Sequence, residues 1–333
     1  MKKIIVCSFV LLLILALSTT AYVYTKYSQF LIDPVFPESL VVLNIEKGTS
    51  YGQFVQMIKK HGATENDLNW KILGRLNKLD NSIKVGEFEI AEMMSPRELI
   101  NYIDNNNVKT YQITIVEGHQ WQQMKRQFAS SALENTITEI KDSELKLKLG
   151  LKTGNLEGQF LPETYQFTKG NTDFDVLYRA HLELQVALNE AWENRDPTIT
   201  LKTPYELLIL ASIIEKETAQ ANERTTISGV FHRRLQKGMK LQTDPTVIYG
   251  VGTAYAGDIT SDHLRTDTPY NTYTRAGLPP TPIAMASAAS IEAAAHPNKG
   301  KELFFVANNK GGHTFSETYE QHQKAVSAYL KGL

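Results

Sequence analysis

Only one cysteine occurs in the 333 residues, Cys7, and it falls inside an N-terminal apolar segment. The rest of the chain therefore carries no disulfide and no thiol chemistry, which suits a compartment where free thiols are a liability. Surplus charge is missing too. The 35 basic and 36 acidic side chains nearly cancel, so no global field draws in nucleic acid and no nucleic-acid partner is expected. There is no HExxH, and His296, His313 and His322 are too spread out to argue ligation, so neither metal nor cofactor is expected. Ser212 lacks the context of a nucleophile elbow. No internal repeat or low-complexity tract stands out. At 42% hydrophobic and 21% charged residues, the chain has the make-up of a folded soluble body, long enough for about two domains.

What is present begins at the N-terminus. After Met1-Lys2-Lys3 no charge appears until Lys26. About 20 apolar residues cross a bilayer as a helix. Lys2 and Lys3 place the N-terminus in the cytoplasm and the body on the extracytoplasmic, periplasmic side of the inner membrane. A cleaved signal peptide is the alternative, with Ile4 to Leu17 as its apolar core and Ser18-Thr19-Thr20-Ala21 after it. The body is exported either way. Residues 1–25 are thus expected as a single-pass anchor. Residues 26–39, with Pro34 and Pro37, are expected as a polar spacer.

From Leu40 strand and helix signals alternate. Val41 to Ile45 has strand character, Phe54, Val55 and Ile58 recur at helical spacing, and Gly86 to Ile90 reads as a second strand. Ser95 and Glu98 form a capping box around Pro96. Residues 40–108 therefore read as a small α+β module. Residues 109–333 read as a larger α+β domain. In it Thr110 to Glu117 alternates as a strand, Lys141 to Leu149 is a charged helical stretch, and Thr172 to Asn194 is one long helix.

Thr203-Pro204-Tyr205-Glu206 then opens another helix, with Thr203 as N-cap and Glu206 closing a capping box. This helix ends in ASIIEKET, Ala211 to Thr218, and so carries two glutamates in its last turns. A carboxylate there is costly to bury without a partner. Two residues on a helix lie about 200° apart, so Glu215 and Glu217 face opposite ways and only one can look into a given cleft. Glu217 shares its azimuth with Leu210 and lies close to Ile213 and Ile214. That weakly favours it as the carboxyl with a raised pKa, and leaves the choice open.

Loop text follows. It includes Leu241 to Gly250 (LQTDPTVIYG), Tyr270-Asn271-Thr272-Tyr273, Gly277-Leu278-Pro279-Pro280 and the hairpin-like turn Gly311 to Phe315, with Phe304-Phe305-Val306 as a core strand. Gln242, Asp244, Tyr270, Asn271, Tyr273, His313 and Phe315 offer the amides, hydroxyls and aromatic faces that a sugar-binding groove uses.

ASIIEKET, LQTDPTVIYG, YNTY, GLPP, AAAHP and GGHTFSET, in this order and spacing, closely resemble the endolytic murein transglycosylases, over about Leu40 to Leu330. The resemblance implies that residues 40–108 are a LysM-like glycan-binding module and 109–333 the catalytic domain. The implied activity is a lytic cut within peptidoglycan glycan strands, between N-acetylmuramic acid and N-acetylglucosamine. The implied partner is the peptidoglycan synthesis machinery. The family's essential acid maps onto Glu217, with Glu215 and Glu163 in supporting positions. Pro162-Glu163 stands where Pro-Asp is usual, and Thr281 and Ala286-Ser287 replace commoner glycine and Pro-Gly, so the loop rim is expected to differ. The rival readings are a non-catalytic peptidoglycan-binding adaptor and a hydrolase of the same bond.

Overall fold

The first helix, α1 (Lys2–Phe30), carries no charged residue from Val6 to Thr25. In the computed structural model, which describes residues 2–36, 39–63, 66–79, 83–151 and 155–332 with side chains from residue 6 onward, its Val6–Phe30 stretch is long and apolar enough to cross a bilayer. The Lys2 and Lys3 side chains and Pro37 of the expected spacer lie outside the described residues. The chain divides into two compact units, Met1–Tyr111 with Thr168–Gly170, and Gln112–Phe167 with Asn171–Leu333.

In the first unit, β1 (Val41–Ile45), α2 (Tyr51–Lys60), α3 (Asp67–Leu76), β2 (Gly86–Ile90) and α4 (Pro96–Asp104) follow α1. The two strands pair antiparallel with Leu43 opposite Phe88. Val41, Leu43 and Ile45 point inward on alternate positions, as a half-buried strand requires. Both halves of the capping box of Ser95 and Glu98 form at the start of α4. One expectation needs correcting. The segment expected as a polar spacer is partly core, because α1 runs on to Phe30, and Phe30, Val35 and Phe36 are buried in the core of the module. The Phe30 ring meets Trp70 edge-on at 5.0 Å. Phe30 and the adjacent pair Val35-Phe36 show no helical or strand period, so they read as spacer until a core is there to receive them.

The rest of the chain forms β3 (Thr110–Thr114), α5 (Trp121–Ala129), α6 (Asp142–Lys148), β4 (Thr164–Thr168), α7 (Asp173–Glu193), α8 (Pro204–Glu217), α9 (Arg224–Gln236), α10 (Asp244–Val251), α11 (Ser261–Arg265), α12 (Ala288–Ala295), β5 (Phe304–Ala307), β6 (His313–Ser316) and α13 (Tyr319–Lys331). Helix α8 is central. Leu207 to Ile214 are all buried, and α7, α9 and α12 pack around them. A helix apolar all round belongs in the middle of a core. The Thr203 hydroxyl accepts the Glu206 N–H at 3.1 Å, as a cap should. The Glu206 carboxylate, however, takes the Lys202 N–H at 2.5 Å, so the expected capping box is half made.

Two further expectations change. LQTDPTVIYG is loop only as far as Thr243, because Pro245 in the first turn launches α10 from Asp244. Proline lacks the N–H that a helix start cannot use anyway. Strand β5 is half-buried, not core; it pairs antiparallel with β6, Phe305 opposite Phe315. Gly158 is required by close approach. Its φ is +72°, and a Cβ there would meet Pro282 at 2.4 Å, so the segment Asn155 to Gly158 and the loop after Pro279-Pro280 can touch only through a glycine.

Candidate active site

Glu217 is the last residue of α8. Thr218 turns to extended backbone (φ −146°, ψ 134°) and ends the helix. The negative end of the helix dipole therefore faces the Glu217 carboxyl and disfavours its charged form. The side chain is half-buried, and the Thr243 hydroxyl donates to its Oε1. Burial pushes its pKa up from 4.5 to about 7; the Thr243 bond and nearby His313 pull the other way, and the Asp244 charge adds to the rise. A carboxyl poised there holds its proton about half the time at neutral pH.

Glu217 lines a cleft of about 510 Å³, within the usual range for a small-ligand site. Of the expected substrate-contacting residues, Gln242, Asp244, Tyr273 and His313 line the same cleft, whereas Tyr270, Asn271 and Phe315 do not. The Tyr273 hydroxyl donates to Asp244 at 2.5 Å. Asn271 is fully buried. Its amide nitrogen donates to the carbonyls of His263, Leu264 and Thr266, and its oxygen accepts the Tyr273 N–H at 2.8 Å. Asn271 therefore shapes the loop that presents Tyr273. The Tyr270 hydroxyl shares a hydrogen bond with Thr281 at 3.0 Å, and its ring lies 4.7 Å from Tyr249. Phe315 packs with Phe305 and His313.

The other glutamate of EKET has a different task. Glu215 accepts both the N–H (2.9 Å) and the hydroxyl (2.5 Å) of Ser287, the N-cap of α12. The two carboxylates on one helix end thus point to two different partners, as their angular separation demands. Glu163 is exposed and lines a separate groove with Arg179 and Glu190. Ser212 is fully buried, donating to Ile209 and accepting from the Ile283 N–H, so it serves packing.

Residues 43–328 match the YceG-like family. The chain belongs to that family. It is similar to the endolytic murein transglycosylase of Bacillus subtilis, 29% identical over 91% of this chain and 89% of that protein. It is similar also to one from Streptococcus pneumoniae, 24% identical over 91% of this chain but only 61% of that protein. Among solved structures, a YceG-like protein from Listeria monocytogenes shares 25% identity at a TM-score of 0.53, covering 86% of this chain and 98% of that one.

In this YceG-like chain the cleft also depends on residues that the sequence did not single out. Glu223 accepts the His313 backbone N–H at 2.8 Å and its Nδ1 at 2.7 Å. Burial raises the Glu223 pKa, but the bonds from His313 outweigh it and hold the carboxyl below its usual value. Arg234 is buried beneath the cleft, donating to the carbonyls of Leu303 (2.7 Å) and Leu241 (2.9 Å), and so ties the two walls together. Gln242 sits at φ +50°, with its N–H bonded to the Thr272 carbonyl at 3.2 Å. A non-glycine residue in that region costs on the order of 1 kcal/mol and persists only where its surroundings fix it. The signals available for Glu223 and Arg234 were only their charges, in a helix start and a basic helix.

Proposed function

We propose that this chain is a membrane-anchored lytic transglycosylase that cuts peptidoglycan glycan strands internally, between N-acetylmuramic acid and N-acetylglucosamine, leaving 1,6-anhydro ends. The observation that carries the reading is Glu217, a half-buried carboxyl with its pKa raised to about 7, at the wall of a polar cleft. The names of the similar transglycosylases support it.

Glu217 starts protonated and gives its proton to the glycosidic oxygen as the bond from that oxygen to the anomeric carbon breaks. The sugar left behind carries oxocarbenium character, which the neighbouring Asp244 charge stabilises. The Glu217 carboxylate then takes the proton of the sugar's own 6-hydroxyl, and that oxygen bonds to the anomeric carbon. The proton returns to Glu217 and no water is consumed. Because the nucleophile is already attached to the substrate, one acid suffices where ordinary glycosidases use two carboxyl groups.

The apolar α1 anchors the body on the extracytoplasmic side, close to newly made strands. The strand-helix-helix-strand module of residues 40–108 binds glycan in the LysM-like manner, and the synthesis machinery is the partner. A second reading, hydrolysis of the same bond, is favoured by Asp244, a second carboxylate in the cleft. Digesting purified glycan strands and weighing the fragments tests both. Anhydro ends support the lytic reading, reducing ends support hydrolysis, and no release supports a binding adaptor.

A further inference from the structure

The wall of the cleft furthest along the chain from Glu217 is built from aromatic rings that the mechanism leaves unused. Phe304 of β5 and Tyr319 and His322 of α13 all line it. The His322 ring stacks on Phe304 at 5.2 Å and 20°, and the Tyr319 ring lies 5.9 Å from Phe304 and 6.4 Å from His322. Phe304 in turn carries the Arg234 guanidinium 5.1 Å from its centroid. The group is held from below by a buried residue yet open above, since Tyr319 is 61% exposed and α13 buries none of its side chains completely.

We infer that Tyr319 and His322, supported by Phe304, form an aromatic subsite that holds one sugar ring of the glycan strand beside the bond under attack. The inference rests on the lytic reading of the same cleft. Sugar rings present apolar C–H faces and polar edges, and an open aromatic ledge next to polar walls matches both. The same cleft supplies polar partners in Gln242, Asp244 and Tyr273. Burial and the Arg234 charge lower the His322 pKa, which favours the neutral ring that stacking uses. Gln242 is held at the cleft by its own N–H bond to the Thr272 carbonyl and by Arg234, whose Nη1 donates to the Gln242 side-chain oxygen at 3.4 Å.

The test is equilibrium binding of glycan strands freed of stem peptides to full-length protein in detergent, in a Glu217→Gln background that removes the proposed acid. Adding Tyr319→Ala is expected to weaken binding about tenfold, while Tyr319→Phe stays within about twofold. Thermal unfolding checks that both variants fold, as the exposure of Tyr319 predicts. Binding unchanged by Tyr319→Ala overturns the subsite, as does Tyr319→Phe binding as weakly as Tyr319→Ala, or a Glu217→Gln parent that retains no glycan. If Glu217→Gln still cleaves strands, the acid assignment falls, and the same tenfold change read as KM still decides the subsite.

Discussion

Replacing Thr243 by valine removes one hydrogen bond and almost no volume. The Thr243 hydroxyl donates to the Glu217 carboxyl, and that bond favours the ionised form. A hydrogen bond to a charged group contributes about 1.5 kcal/mol or more, and 1.36 kcal/mol corresponds to one pKa unit. Burial and the Asp244 charge remain in the variant, so the Glu217 pKa rises from about 7 by roughly one unit. The assay is kcat/KM for glycan cleavage against pH, whose alkaline limb reports loss of the acid's proton in the free enzyme. The wild-type limb is expected near 7 and the Thr243→Val limb about one unit higher. An alkaline limb that stays in place, or moves to lower pH, would refute the claim that this carboxyl is the acid and that Thr243 tunes it.

Glu157 gives a second test. It is 6% exposed and accepts the Trp121 N–H at 2.9 Å and the Tyr249 hydroxyl at 3.2 Å, and burial raises its pKa from 4.5 to about 7. The folded protein thus binds this proton more tightly than the unfolded chain. The contribution to stability is complete below 4.5 and is lost as pH rises through 7. Glu157→Gln should flatten the fall in Tm between about pH 5 and 8, a loss on the order of 2–3 kcal/mol; an unchanged slope would contradict this. Glu215→Ala strands the buried N–H and hydroxyl of Ser287 and should cost about 1–3 kcal/mol by denaturant unfolding, while the alkaline limb of activity stays near 7. A shifted limb there would make Glu215 part of the acid machinery.

Features set by neighbouring residues were legible in the sequence. The caps at Ser95 and Thr203 each act through a residue three positions on, so the helices they start could be read directly. The opposed directions of Glu215 and Glu217 followed from helix geometry alone. Residues that act across the fold were not legible. Glu223 meets His313 from 90 positions away, and Thr243 meets Glu217 from 26. Asn271 was read as a groove residue because an amide in a loop offers the same donors to sugar as to carbonyls. Only its burial shows which it serves. The aromatic wall from α13 left no mark because Tyr319 and His322 are spaced as any amphipathic helix would space them. The start of α10 was visible in principle at Asp244-Pro245, but the turn-forming residues around it pointed equally to a loop.

The most direct measurement is the mass of fragments released from purified glycan strands in isotopically labelled water, by wild-type protein and by Glu217→Gln. Wild-type protein should leave anhydro ends, one water lighter than reducing ends and free of solvent oxygen, and the variant should release essentially nothing. Fragments carrying labelled oxygen, or a variant that cuts as fast as wild type, would contradict the single-acid account.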